Sequence, residues 1–371
     1  MKNNFTLLLV LLIVIFSSCN SDKKGSSKET NVTSTNSTKL DITEEDGYKS
    51  VPLLYGTNRV KGYTDQKHVM FNPQSADEIS YGIVRVSIPD EHRKGQLEQA
   101  NTLNKMLGND YNPKKYVNVL ENKTLSNTEF HAILKTGLSL SEDKEMFVFI
   151  HGYNTSFTDA AKRTAQLFYD IEYTGIPMFY SWPSNGKLAR YLDDGKQIDY
   201  SFKLFGHFIN DIVSKNPEKK INIIAHSMGN RLMVKALSML PKENPSIKFG
   251  KIIMAAPDVD AKDFKINYLE TLAGMSEKVT LYSSSKDIAL LASSKVNSTQ
   301  RLGMAGKSLF VSNPKIQTID LSGVDCEDFL KHACFANSMV ILKDIRNVLS
   351  NEPVDRVAKK NKDGEYYILT K

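Results

Sequence analysis

The run Ile221-Asn222-Ile223-Ile224-Ala225-His226-Ser227-Met228-Gly229-Asn230-Arg231-Leu232 sets a β-branched strand against an apolar helix, with a serine at the bend between them. Ala225 stands two positions before that serine and Gly229 two after it. This is the spacing of a nucleophile elbow, with Ala225 where glycine is usual. The turn is so tight that only small side chains fit at those two positions, and it lifts the hydroxyl clear of the backbone. The chemistry implied is attack by the Ser227 oxygen on an acyl carbon. The alternative is a buried serine in an ordinary strand–helix turn.

A serine hydroxyl is a poor nucleophile at neutral pH and needs a base. The chain order that accompanies such an elbow is serine, acid, histidine. Val279-Thr280-Leu281-Tyr282-Ser283-Ser284-Ser285-Lys286-Asp287 puts Asp287 just beyond the second strand after the elbow, where the acid belongs. Asp258, Asp260 and Asp325 are rivals, Asp258 the strongest because it follows the strand one earlier. His332 is the only histidine downstream of Ser227, so it is the base by elimination if that order holds. A lone surface histidine is the other reading of it.

Catalysis also needs donors for a developing oxyanion, and two backbone N–H groups suffice. Met228, directly after the serine, offers one. The loop after the apolar run Glu145–Ile150 reads His151-Gly152-Tyr153-Asn154-Thr155-Ser156-Phe157, with Gly152 to turn sharply and Tyr153 to donate. Gly152, Asn154, Trp182 and Asp258 are the expected substrate-binding residues, with core packing the alternative for Trp182. His151 and His226 read as ordering and packing residues, and His68, His92, His131 and His207 as structural or solvated. Residues 185–200, rich in charge with Gly186 and Gly195, are a candidate lid.

Positioning these groups requires a sheet whose strands end at them. Apolar strand-like runs cover Pro52–Val60, Ile79–Ile88, 116–121, Glu145–Ile150, Pro177–Trp182, Ile221–Ala225, Lys251–Ala256, Val279–Tyr282 and Ile316–Leu321. Helix-like runs cover Thr128–Leu138, Asp159–Tyr173, Ile198–Lys215, Asn230–Leu240 (stopped by Pro241) and Met339–Leu349. Alternation of this kind implies an α/β fold, a mostly parallel sheet with helices on both faces. In such sheets the chemistry gathers at the carboxyl ends of the strands. No repeat of solenoid length is present.

The ends read differently. Met1-Lys2-Asn3-Asn4 is a short basic start, and Phe5–Phe16 is an apolar run of signal-peptide rather than spanning length. Ser17-Ser18-Cys19 resembles a lipobox, with Phe16 where Leu is usual. The expectation is a lipoprotein signal over 1–18, lipidation at Cys19, a disordered tether over 19–46, a folded domain over 47–351 and a tail over 352–371. A plain signal peptide or an uncleaved anchor is the alternative. The location expected is the cell envelope, at the outer membrane in preference to the inner. Cys326 and Cys334 are the other cysteines of the three. Eight residues of helix would hold them about 12 Å apart, beyond disulfide reach, so an unpaired state is expected.

The 371 residues are 41% hydrophobic and 24% charged, enough for one large core. The net charge of +6 is modest and its basic residues are scattered, so nucleic acid is not an expected partner. No Cys/His cluster has metal-ligand spacing, and the chemistry proposed needs no metal or organic cofactor.

Taken together, several segments resemble the esterase/lipase-like α/β-hydrolase family of uncharacterised bacterial proteins over about residues 51–350. They are Leu54–Arg59, Tyr81-Gly82 to Ser87-Ile88-Pro89, Phe149–Asn154, Tyr180–Ser184, Ala225–Asn230, Ala255–Asp260 and Ser285-Lys286-Asp287. The resemblance implies an α/β-hydrolase fold and a Ser227–Asp287–His332 triad, with Asp258 as a site-lining group or substitute acid. The expected reaction is hydrolysis of a carboxylic ester, in a small molecule or a lipid, through an acyl-enzyme. Acyl transfer or amide cleavage by the same triad is an alternative, and a non-catalytic scaffold on this fold is another.

Overall fold

The computed structural model describes residues 40–64, 68–185, 191–304, 311, 313–361 and 364–369. The signal segment, Cys19, the tether up to residue 39 and positions 186–190 of the candidate lid lie outside the described residues.

In chain order the strands are β1 (Thr43–Glu45), β2 (Tyr48–Thr64), β3 (Val69–Pro89), β4 (Val119–Leu125), β5 (Met146–Ile150), β6 (Ile176–Ser181), β7 (Ile221–His226), β8 (Phe249–Ala255), β9 (Ser276–Ser283), β10 (Ile316–Asp320), β11 (Arg356–Asn361) and β12 (Gly364–Leu369). The α-helices are α1 (Thr102–Met106), α2 (Asn127–Leu140), α3 (Phe157–Asp170), α4 (Tyr191–Lys215), α5 (Gly229–Glu243), α6 (Ala261–Asp263), α7 (Leu269–Met275), α8 (Ile288–Asn297), α9 (Cys334–Asn337) and α10 (Met339–Leu349). A π-helical turn, Phe264–Tyr268, joins α6 to α7.

One sheet runs β11-β12-β10-β9-β8-β7-β5-β6-β2-β3-β4, with β1 paired to β2. From β12 to β2 every neighbouring pair is parallel. Antiparallel partners close both flanks, β3 and β4 on one side and β11 on the other. The parallel strands are buried on both faces because their side chains alternate between two cores. Met146, Val148 and Ile150 of β5 join one core with α2, α4 and α5, while Phe147 and Phe149 join the other with α3 and α10. Each fully buried aliphatic or aromatic side chain contributes about 1.5–3 kcal/mol relative to exposure.

The sheet order creates the site. After β5 the chain crosses to β6 on one side, then returns to lay β7 on the other side of β5. The helix after β5 packs on one face and the helix after β7 on the other. The two loops therefore diverge and leave a crevice at the carboxyl edge, the switch point of an open α/β sheet. Ile150 is paired with Ala225 in register, so the loops start level with each other.

Several elements depart from the sequence reading. Residues 191–200 belong to helix α4, so the described part of the candidate lid is helical apart from Asn185. Pro241 lies within the last turn of α5 and does not stop it there. So close to a helix end, proline removes only one ladder bond. Residues 352–371, expected as a tail, hold the β11–β12 hairpin, whose β12 adds to the sheet beside β10. The end of the expected tether forms β1. Short strands with alternating Lys, Tyr and Ile are hard to tell from a polar tail by periodicity.

Candidate active site

Ser227 occupies the elbow between β7 and α5 with φ +52°, a left-handed conformation that costs a side-chain-bearing residue. The surroundings over-determine it. Its N–H donates to Ala255 O at 3.0 Å, and its carbonyl accepts from Asp258 N–H at 3.1 Å. The Asn230 amide nitrogen donates to Ala225 O at 3.0 Å and Ser227 O at 3.2 Å. Glycine is required at two points of close approach. A Cβ on residue 229 would lie 2.4 Å from His151 O, and one on residue 152 would lie 2.8 Å from Ser227 Cβ. Ser227 is 5% exposed.

Strands β9 and β10 carry the other two groups to the same edge. Asp287 follows β9 and caps α8, its Oδ1 accepting from Leu290 N–H at 2.8 Å. That bond fixes the carboxylate so that Oδ2 faces His332. The His332 Nδ1–H donates to Asp287 Oδ2 at 2.7 Å, and Ser227 Oγ donates to His332 Nε2 at 2.7 Å. The tautomer follows from this network. Burial disfavours the charged imidazole, but the charge and hydrogen bond of Asp287, with Asp258 and Asp328 further off, outweigh it and raise the His332 pKa above its ordinary value.

The segment carrying His332 has no regular structure until α9. It is held by cross-links instead. Asp328 Oδ2 accepts from the N–H groups of His332 at 2.5 Å and Ala333 at 2.7 Å. Lys331 takes φ +53° and its ammonium donates to Cys326 O. Cys326 and Cys334 form a disulfide, contrary to the sequence expectation. The expectation assumed helix between them. Only Cys334 is helical, and the loop folds back to bring their Cα atoms to 5.6 Å. A cavity of about 20 Å³ bordered by Ala256, Tyr282, Asp287, Lys331, His332 and Phe335 lies against the pair, room for about one water.

Across the crevice, the loop after β5 brings Gly152 against the elbow. The Met228 amide opens α5 beside Ser227, and the Tyr153 ring packs edge-on against Tyr191 at 5.4 Å. Asn154 holds φ +57° in the same loop. Trp182, expected at the substrate wall, is fully buried instead. It stacks on His151 at 5.1 Å and donates its indole N–H to His151 O at 2.8 Å, so it supports the loop from below. Burial first, then the Arg59 charge, pushes His151 down to about 3, which keeps the ring neutral.

Asp258 does not reach His332. Its carboxylate accepts from Arg231 at 2.8 Å, Tyr191 OH at 2.7 Å and Ser293 Oγ at 2.5 Å, with Arg301 3.7 Å away. It is 2% exposed and belongs to a buried polar cluster next to the elbow. Asp260 caps α6 and Asp325 is open to solvent, so neither rival meets the histidine. His226 packs on His332 with ring centroids 4.7 Å apart and donates to its carbonyl at 3.1 Å. His92 is held by Glu98 and Asp170, and His131 by Asp211. Sequence reasoning gave no role to Arg59, Asn230, Arg231, Tyr191 or Asp328. Apart from those of Asn230, which sit at the elbow itself, their partners are distant in sequence or lie in irregular loops, and only Arg59 and Asn230 stand inside resembling segments.

The profile of the family described as alpha/beta hydrolase of unknown function (DUF900) matches residues 126–350. An uncharacterized protein of Nostoc sp. is 41% identical over 61 residues, 16% of this chain and 16% of that protein, so the chain spans a small part of that relative. Among solved structures, phospholipase PlaB from Legionella pneumophila in complex with thio-NAD is 14% identical over 61% of this chain and 67% of its own, with a TM-score of 0.30. An esterase rPPE mutant is 10% identical over 83% of each chain, with a TM-score of 0.34. Scores so low carry no weight for the chemistry. The family match runs over more than half of the sequence, a span that includes Ser227, Asp287 and His332: the chain belongs to the α/β hydrolases of unknown function designated DUF900.

Proposed function

We propose that the protein is a serine hydrolase of carboxylic esters, with Ser227 as nucleophile, His332 as general base and acid, and Asp287 as the group that orients and charges the imidazole. The observation that supports this best is the unbroken hydrogen-bonded run Ser227 Oγ, His332 imidazole, Asp287 carboxylate, with both links at 2.7 Å. Ser227 Oγ bonds to the ester carbonyl carbon as its proton passes to His332 Nε2. The carbonyl electron pair moves to oxygen, where the Met228 and Tyr153 N–H groups receive it. Collapse breaks the bond to the alkoxy oxygen, which takes the proton from His332 and leaves as the alcohol. Water then attacks the acyl-enzyme by the same route and frees the acid.

The substrate is an ester-bearing small molecule or lipid. A lipid on Cys19 tethers the domain at the cell envelope, in the outer membrane in preference to the inner. A fluorophosphonate probe tests the chemistry. Wild-type protein should label and Ser227→Ala should not. A folded wild-type protein that fails to label would favour a non-catalytic scaffold. A panel of model esters of rising acyl length, run with and without an added alcohol, separates hydrolysis from acyl transfer; an amide panel does the same for amidase action. Metabolic labelling with a fatty-acid analogue tests the tether, since Cys19→Ser should lose the label and leave the membrane fraction.

A further inference from the structure

Arg59 lies in β2 just past its pairing with β6, outside the matched segment 126–350, and is 1% exposed. A buried cation is expensive unless its donors are used. All three nitrogens are. Nε donates to Ser181 Oγ at 2.9 Å, one Nη to Ser184 O at 3.1 Å and the other to Thr155 O at 2.8 Å. Ser181 Oγ in turn lies 3.2 Å from His151 Nε2, and His151 Nδ1 donates to Gly152 O at 2.8 Å. The guanidinium thus grips both ends of the loop that carries Gly152 and Tyr153: directly at Thr155, and through Ser181 and His151 at Gly152. Among the described residues no carboxylate takes any of these donors.

We infer that Arg59 is a positioning residue that holds the His151–Thr155 loop, and with it the Tyr153 amide, at the distance from Ser227 that a tetrahedral oxyanion needs. This rests on the ester-hydrolase reading above. A planar fork with fixed donor directions suits the task, since it sets three acceptors relative to one another; an ammonium group is a point charge without that geometry. The positive charge lies behind the loop in a water-poor interior, so its field also favours negative charge developing on the loop's other side.

The test compares Arg59→Lys, Arg59→Met and Ser181→Ala in the whole protein, with melting temperature read alongside. Arg59→Met should lower kcat on the order of 10²-fold, the scale of losing one oxyanion donor, with KM changed little. Arg59→Lys should recover part of that loss, and Ser181→Ala, which cuts only the link to His151, should lose less. A boronic acid that forms a tetrahedral adduct on Ser227 should weaken in step with kcat. The acid limb of the pH profile should stay in place, because none of these changes touches His332. Wild-type kcat in a folded Arg59→Met protein overturns the inference. So does a loss of kcat in which the acid limb moves too, since that would route the effect through the base. If wild-type protein neither labels nor cleaves esters, the reaction reading fails on its own. The positioning claim is then judged by the backbone amide signals of Gly152 and Tyr153, which Arg59→Lys should shift; unchanged signals overturn it.

Discussion

The elbow and the His332 loop meet at two hydrogen bonds, from Ser227 Oγ and from the His226 ring, yet they are built in opposite ways. The elbow is made by regular structure. A buried strand enters, a helix leaves, and backbone bonds with two glycine contacts fix the strained turn at Ser227. The His332 loop has almost no regular structure, and its shape comes from a disulfide, one carboxylate and one lysine. Ser227, the proposed nucleophile, is therefore placed by the fold itself, whereas His332, the proposed base, is placed by side-chain fasteners that can be removed one at a time. Perturbing the first should be all-or-none, and perturbing the second should be graded.

The largest effect belongs to the elbow. Ser227→Ala should cost about 10⁴–10⁶ in kcat/KM with the circular dichroism spectrum intact. Asp287→Asn should cost about 10³–10⁴ in kcat. Asparagine caps helices as well as aspartate, so the urea midpoint should hardly move; a collapsed midpoint would show that the loss is structural. Gly229→Ala drives a Cβ to 2.4 Å from His151 O and should destabilise by about 1–3 kcal/mol in urea titration. If it is neutral, the elbow is less constrained than the contrast requires.

The loop effects on rate are smaller. Replacing Cys326 and Cys334 together by serine removes a short closed loop worth about 2–3 kcal/mol of chain entropy. It should lower kcat about tenfold without abolishing it, the scale of a displaced catalytic group. Complete loss would make the disulfide as decisive as the elbow. The smallest effect concerns pH. The base works when neutral, so kcat/KM should rise with pH through the His332 pKa, above the ordinary histidine value. Asp328 contributes to that rise, so Asp328→Asn should move the acid limb to lower pH. The same shift affects stability in the opposite sense. A raised native pKa adds stability that is complete below the unfolded value and is lost as pH climbs through the native one.

The contrast also explains which features are legible in the sequence. The strand–turn–helix at Ser227 and the parallel strands β5 to β10 are written in apolar runs, which survive translation into one dimension. Asp287 was found by its place after a strand. His332 was reached only by elimination, because nothing periodic surrounds it. The disulfide was misjudged because the expectation assumed helix where the loop turns back. For Trp182 burial supports the alternative reading, core packing, since a residue at a strand's end can face either the crevice or the core. Among the described residues the Arg59 guanidinium bonds to groups more than ninety residues away, so local spacing gives no sign of its role.

The hairpin after α10 has a practical consequence. Residues 352–371 look dispensable, and the family match itself stops at residue 350. Yet β12 shields one side of β10 through the pairing of Ile319 with Tyr367 and Asp320 with Ile368. A protein truncated at Asn351 would bare that strand's N–H and C=O groups to solvent, a template for stacking between molecules. Ending the chain there would thus expose an edge open to pairing between molecules, beside the segment that presents the imidazole.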